Sequence, residues 1–140
     1  MMEAIGGAAG VLQLVQAVGL LANGVFATCQ RLHNAPKEIR DLEMQVSWFK
    51  SHLQSCETTL SKIYPDLLTP DIEISLTLAL TEGSSCFLEL QRIVSRVEDG
   101  SSIDSRVRWA AHTRSRAGKI LSRLQDCNKR MESAISLLHL

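Results

Sequence analysis

The sequence predicts an all-α fold, an up-and-down bundle of four long helices, and three observations carry that expectation. Apolar residues recur at alternating steps of three and four in four separate stretches. Those stretches are divided by Pro- or Gly-marked breaks at Asn34-Ala35-Pro36, at Tyr64 to Pro70 and at Glu98 to Ser102. Alternation of β-branched residues never persists beyond a few positions, so no strand is expected. The last stretch is read either as one helix or as two, which would make five.

The first helix is expected from about Glu3 to His33. No charged residue occurs from Ala4 to Gln30, a run of 27 positions. About 20 apolar residues at 1.5 Å each match a hydrocarbon core of about 30 Å, so the run is long enough to span a bilayer. It also carries a seam, Val11, Val15, Val18, Ala22, Val25, Cys29 and Leu32, with Gln13, Gln16, Asn23 and Gln30 off it. The segment therefore suits either a helical core or a membrane. Five of the eight glycines fall here, each costing about 1 kcal/mol relative to Ala, so packing or lipid must hold the helix. Gly6 and Gly10 form G-x-x-x-G, which in membranes lets helix backbones approach closely and in a soluble bundle simply lets the helix sit deep.

Pro36 suits the first turn of the second helix, with Asn34 or Ala35 as cap and Glu38 complementing the helix dipole. Ile39, Leu42, Val46, Phe49, Leu53, Cys56, Leu60 and Ile63 form its seam. Lys37, Arg40, Asp41, Glu43, Lys50, His52 and Glu57 make a solvated face. Thr69 caps a third helix with Pro70 in its first position and Asp71 and Glu73 in its first turn. Its seam is Ile72, Leu76, Ala79, Gly83, Cys86, Leu90, Ile93 and Val97. Gly83-Ser84-Ser85 is a candidate kink, and Gly100 a candidate left-handed terminator. The fourth stretch, Asp104 to Leu138, has the seam Ala117, Ile120, Leu124, Cys127, Met131, Ala134 and Leu138, with a candidate break near His112 to Arg116. A seam of seven or eight side chains contributes about 10–20 kcal/mol of transfer free energy. Ordering some 28 residues costs roughly 30–50 kcal/mol of backbone entropy. The four helices thus need one another.

At 140 residues the chain is of one-domain size, 1–140, with zero formal net charge and hence no overall pull towards nucleic acid or anionic lipid. The charge is nevertheless uneven. Residues 105–130 carry eight Lys/Arg against Asp126, and residues 71–99 six acids against Arg92 and Arg96. One reading is compensation between neighbouring helices. The other is a basic face, Arg106, Arg108, Arg114, Arg116, Lys119 and Arg123, that meets anionic headgroups at about 1 kcal/mol per residue. Nucleic acid is disfavoured, because no aromatic or glycine-rich apparatus accompanies the charge.

The four cysteines are spread one per stretch and form no C-x-x-C, which disfavours zinc and a disulfide framework. They read as free thiols of a reducing compartment. Met1-Met2-Glu3 lacks the basic start of a secretory signal, so a cytoplasmic protein is expected. His33, His52, His112 and His139 are isolated, and no nucleophile elbow or phosphate loop occurs. No enzyme and no cofactor are expected. Trp48 and Trp109 read as core or interface anchors.

EAIGGAAGVLQLVQAVGLLANGV at the N-terminus resembles the start of HeLo-like domains at the front of fungal NLR-type (STAND) proteins. The likeness continues through APKEIRDLEMQVSWFKSHL and RVRWAAHTRSRAGKILSRLQDCNKRMESAISLL, and includes Pro36 and Trp109. The resemblance implies a helical signalling domain of regulated cell death or heterokaryon incompatibility. It implies homo-oligomers of at least a dimer, an NLR-type nucleotide-binding protein in cis or in trans, and relocation to the plasma membrane on activation. Carried onto this chain, the membrane-inserting residues would be Ile5, Val11, Leu12, Leu14, Val15, Val18, Leu20 and Leu21. An adaptor bundle that only self-associates is the alternative.

Overall fold

The computed structural model of the chain describes residues 7–32, 37–62, 68–99 and 114–138. Within them lie four helices and no strand: α1 (Gly7–Arg31), α2 (Lys37–Lys62), α3 (Pro70–Asp99) and α4 (Arg114–Leu138). They form an all-α bundle, as the periodicity predicts. α1 packs on α2 and α3, and α4 packs on the same two, so the helices follow one another round the bundle as α1, α2, α4, α3. Gly7 meets Glu73 at one end and Thr28 meets Gln91 near the other, which makes α1 and α3 parallel. Glu38 meets Arg114, and Gln45 and His52 meet Asn128, which does the same for α2 and α4. Direction therefore alternates along the chain, while the consecutive helices α2 and α3 face each other across the bundle.

Each seam points into the core. On α1 the buried residues include Val11, Val15, Val18, Ala22, Val25 and Cys29; on α2 Ile39, Leu42, Val46, Phe49, Leu53, Cys56 and Leu60. α4 buries all seven seam residues. α3 buries Leu76, Ala79, Gly83, Cys86, Leu90 and Ile93, with Ile72 packed half-buried against them. Leu80, Phe87 and Val94 are buried beside that seam. A helix with two neighbours needs a stripe wider than a single seam. Thr69 caps α3 as expected: its Oγ1 accepts from the Ile72 N–H at 3.4 Å and its carbonyl from the Glu73 N–H at 2.9 Å. Ile63, Gly100, Trp109, His112 and the start of the fourth stretch lie outside the described residues; from Arg114 onward α4 is unbroken.

Gly83 serves a different purpose from the kink considered above. α3 runs through Gly83-Ser84-Ser85 as continuous helix, and a Cβ built on Gly83 would stand 2.6 Å from Phe49 Cζ. The glycine is a notch for the Phe49 ring, which reaches across the bundle from α2. There the ring meets Phe87 edge-on, with centroids 5.2 Å apart. Both rings are fully buried, so neither can swing away cheaply.

Two glycine substitutions should therefore move stability in opposite directions. Gly83→Ala gains about 1 kcal/mol of helix propensity but forces an overpacking strain at the upper end of about 1–3 kcal/mol, a net loss of about 1–2 kcal/mol. Gly118→Ala on α4, where an added Cβ meets nothing within 4 Å, should gain about 0.5–1 kcal/mol. Urea denaturation of the two variants against the parent chain is the check.

Candidate functional site

The outer face of α1 is unusual in composition. From Ala9 to Gln30 its exposed positions are Ala9, Gln13, Gln16, Ala17, Leu20, Asn23, Gly24, Ala27 and Gln30, without one charge. By length and composition α1 could cross a membrane. The ends of its dipole are met by charges from other helices. At the N-terminus Gly7, held at φ +76°, donates its N–H to Glu73 Oε1 on α3. Glycine takes that left-handed conformation without steric penalty, and a carboxylate at a helix N-terminus complements the dipole. At the C-terminus the Arg40 guanidinium of α2 donates to the carbonyls of Cys29 (3.1 Å) and Leu32, while also pairing with Glu43.

Of the eight residues assigned to membrane insertion, Ile5 lies outside the described residues. Val11, Val15 and Val18 are in the core, and Leu12, Leu14 and Leu21 are half-buried against it. Leu20 alone stands out, 75% exposed. It borders a cleft between α1 and α2 with Gly19, Asn23 and Phe26, where Lys50 Nζ sits 4.3 Å from the centre of the Phe26 ring.

The basic residues do not form one free patch. Arg106 and Arg108 lie outside the described residues. Arg114 pairs with Glu38 of α2 at 2.6 Å. Arg123 donates to Glu82, Glu89 and Ser85 of α3, and its charge is held more firmly by its bond to Glu82 than burial opposes it. Compensation between neighbouring helices thus accounts for Arg114 and Arg123. Arg116 and Lys119 remain exposed and make no ion pair among the described residues.

All four cysteines are free and buried. Burial pushes the Cys29 thiol up to about 12, Glu43 adding to and Arg40 opposing the shift, and pushes Cys56 up to about 11. Interaction with Cys127 on α4, reinforced by burial, keeps the Cys86 proton in place. Cys29, Cys56 and Cys86 are therefore poor nucleophiles, whereas Cys127 is shifted down by its interaction with Cys86. Among the described residues no group of His, Cys, Asp and Glu could hold a metal.

His52 was assigned to a solvated face, yet its Nδ1 lies 2.9 Å from Asn128 Oδ1, and both Asn128 and Gln45 are buried. Trp48 is half exposed, not a core anchor. Set against known proteins, the chain matches no family model, no curated protein and no solved structure. The fold defines its class, an all-α helical bundle, and function has to be argued from the helix faces.

The thiols make stability pH-dependent with a fixed sign. Below about pH 9 Cys29 and Cys56 keep their protons in both folded and unfolded chains, and the contribution is fully present. Above it the unfolded chain releases them while the fold retains them until about 11 and 12, so stability falls as pH rises through that window. Urea midpoints measured between pH 8 and pH 11 should decline, and Cys29→Ala should flatten the decline; an unchanged slope would refute the assignment.

Proposed function

We propose that this chain is a HeLo-like signalling bundle of fungal regulated cell death or heterokaryon incompatibility. It acts in the cytoplasm, fused to or partnered with an NLR-type nucleotide-binding protein, by self-association and delivery of α1 to the anionic face of the plasma membrane. The single observation behind this reading is α1 itself, a 25-residue helix whose solvent face from Ala9 to Gln30 carries no charge.

Magnitudes say how such a device must work. The ten Ile, Val, Leu and Phe residues between positions 4 and 26 contribute only about −3 to −6 kcal/mol on an insertion scale. Withdrawing four buried valines from the core costs about 6–12 kcal/mol at about 1.5–3 each. A monomer therefore keeps α1. Release needs an assembly in which α1 pairs with copies of itself, Gln13, Gln16 and Asn23 facing inward. Glu73 and Arg40 act as latches, since both must let go before the helix leaves.

A second reading has its own observation. Val11, Val15, Val18, Ala22 and Val25 are locked between α2 and α3, as suits an adaptor that self-associates through an intact bundle and ignores lipid.

Dye-loaded vesicles of phosphatidylserine and phosphatidylcholine separate the two. Oligomers of the intact chain should cause leakage. Leu20→Lys, exposed in the bundle, should fold normally yet leak at least about tenfold less, because a lysine at a helix centre costs about 3 kcal/mol on insertion. Glu73→Gln combined with Arg40→Gln should leak more readily. Stable oligomers that leave such vesicles sealed would abandon the membrane reading for the adaptor.

A further inference from the structure

Between α2 and α4 lies a cavity of about 490 Å³, bordered by Gln45, Trp48 and His52 from one helix and Asn128, Lys129 and Glu132 from the other. Gln45, Trp48 and His52 recur at steps of three and four, so they share one face of α2. The volume falls within the range of small-molecule sites.

The polar groups there are oriented by one main-chain carbonyl. Asn128 Nδ2 lies 3.1 Å from the Gln45 carbonyl oxygen, which can only accept, so the Asn128 amide is fixed with its nitrogen inward. Asn128 Oδ1 must then accept from His52, 2.9 Å away, which places a proton on Nδ1 and leaves Nε2 of the neutral ring as an acceptor. The same Asn128 Nδ2 donates to Gln45 Oε1 at 2.8 Å, turning the Gln45 amide so that its oxygen is used. Its Nε2 hydrogens find no acceptor among the described residues, although Gln45 is only 7% exposed. A buried amide donor left unpaired is costly. Beside it the Trp48 indole is 51% exposed, and Lys129 makes no ion pair among the described residues.

From this we infer that the α2/α4 cavity binds a small planar molecule bearing one carboxylate. Its flat body stacks on Trp48, its carboxylate accepts from Gln45 Nε2 and Lys129, and His52 Nε2 stands ready for a hydroxyl or N–H on the ring. The site is independent of α1, so it stands or falls apart from the membrane reading.

Titration of the ¹⁵N-labelled chain with 2-naphthoate tests it, with 2-naphthalenemethanol as the uncharged control. The expected result is saturable shifts of the Gln45 side-chain amide and the Trp48 indole N–H, half-complete at or below about 1 mM, and at least about tenfold weaker for the alcohol. Gln45→Leu should weaken naphthoate at least about tenfold. Lys129→Met, an exposed change that leaves the bundle intact, should weaken it severalfold and remove most of its salt dependence. No saturable shift at Gln45, or equal binding of acid and alcohol, would overturn the proposal. So would unaltered binding by Lys129→Met.

Discussion

The bundle depends on one steric fit, the Phe49 ring seated over Gly83 and against Phe87. The chain has only three phenylalanines, and two of them meet here on helices that are consecutive in sequence but opposite in space. A ring that crosses the bundle axis fixes the relative height of α2 and α3 near the middle of both helices. The remaining core consists largely of aliphatic side chains that would tolerate sliding by a turn, since uniform apolar seams specify position poorly. Phe49 in its notch breaks that degeneracy. The buried Asn128–Gln45 bond does the same between α2 and α4, because a one-turn slip would strand both amides without partners.

Charge does the complementary work at the periphery. α1 has no charge of its own between Ala4 and Gln30; Glu73 on one neighbour meets its N-terminus, and Arg40 on the other joins α1's own Arg31 at its C-terminus. α4, rich in arginine, is answered in turn by Glu38 on α2 and by Glu82 and Glu89 on α3. Part of the charge on α4 is thus answered locally by its neighbours, while Arg116, Lys119 and Lys129 make no ion pair among the described residues. Exposed pairs of this kind are individually weak, about 0–1 kcal/mol each, so they orient helices more than they hold them.

How far the sequence reveals this can be judged residue by residue. Val11 to Cys29, Ile39 to Leu60, and Ala117 to Leu138 were legible because burial against a neighbour imposes the helical repeat directly on composition. Thr69 was legible because a cap acts within three residues of itself. The notch at Gly83 was not, since a glycine chosen for the ring opposite looks the same in sequence as one that bends a helix. Nor was the His52–Asn128–Gln45 cluster. Gln45 and His52 lie seven residues apart on one face of α2, which was visible, but their partner is 76 to 83 residues away, and no local rule pairs them. Arg40 and Glu73 were read as surface and first-turn charge, while their second role at the ends of α1 is a property of the assembled bundle alone.

The four helices are also unequal in what they contribute to the core. α1 places valines, one alanine, Thr28 and a cysteine in the core, whereas α2, α3 and α4 place leucine, isoleucine, phenylalanine or methionine there. Burial free energy grows with apolar area, and the glycines of α1 lower its intrinsic helicity further. Local opening begins where burial is thinnest. α1 is therefore held at its centre by smaller side chains than its three neighbours, with Leu12, Leu14, Leu21 and Phe26 packed half-buried at the flanks of that seam. The hydrogen bonds of Glu73 and Arg40 add contacts at its two ends, where those small side chains give the least burial.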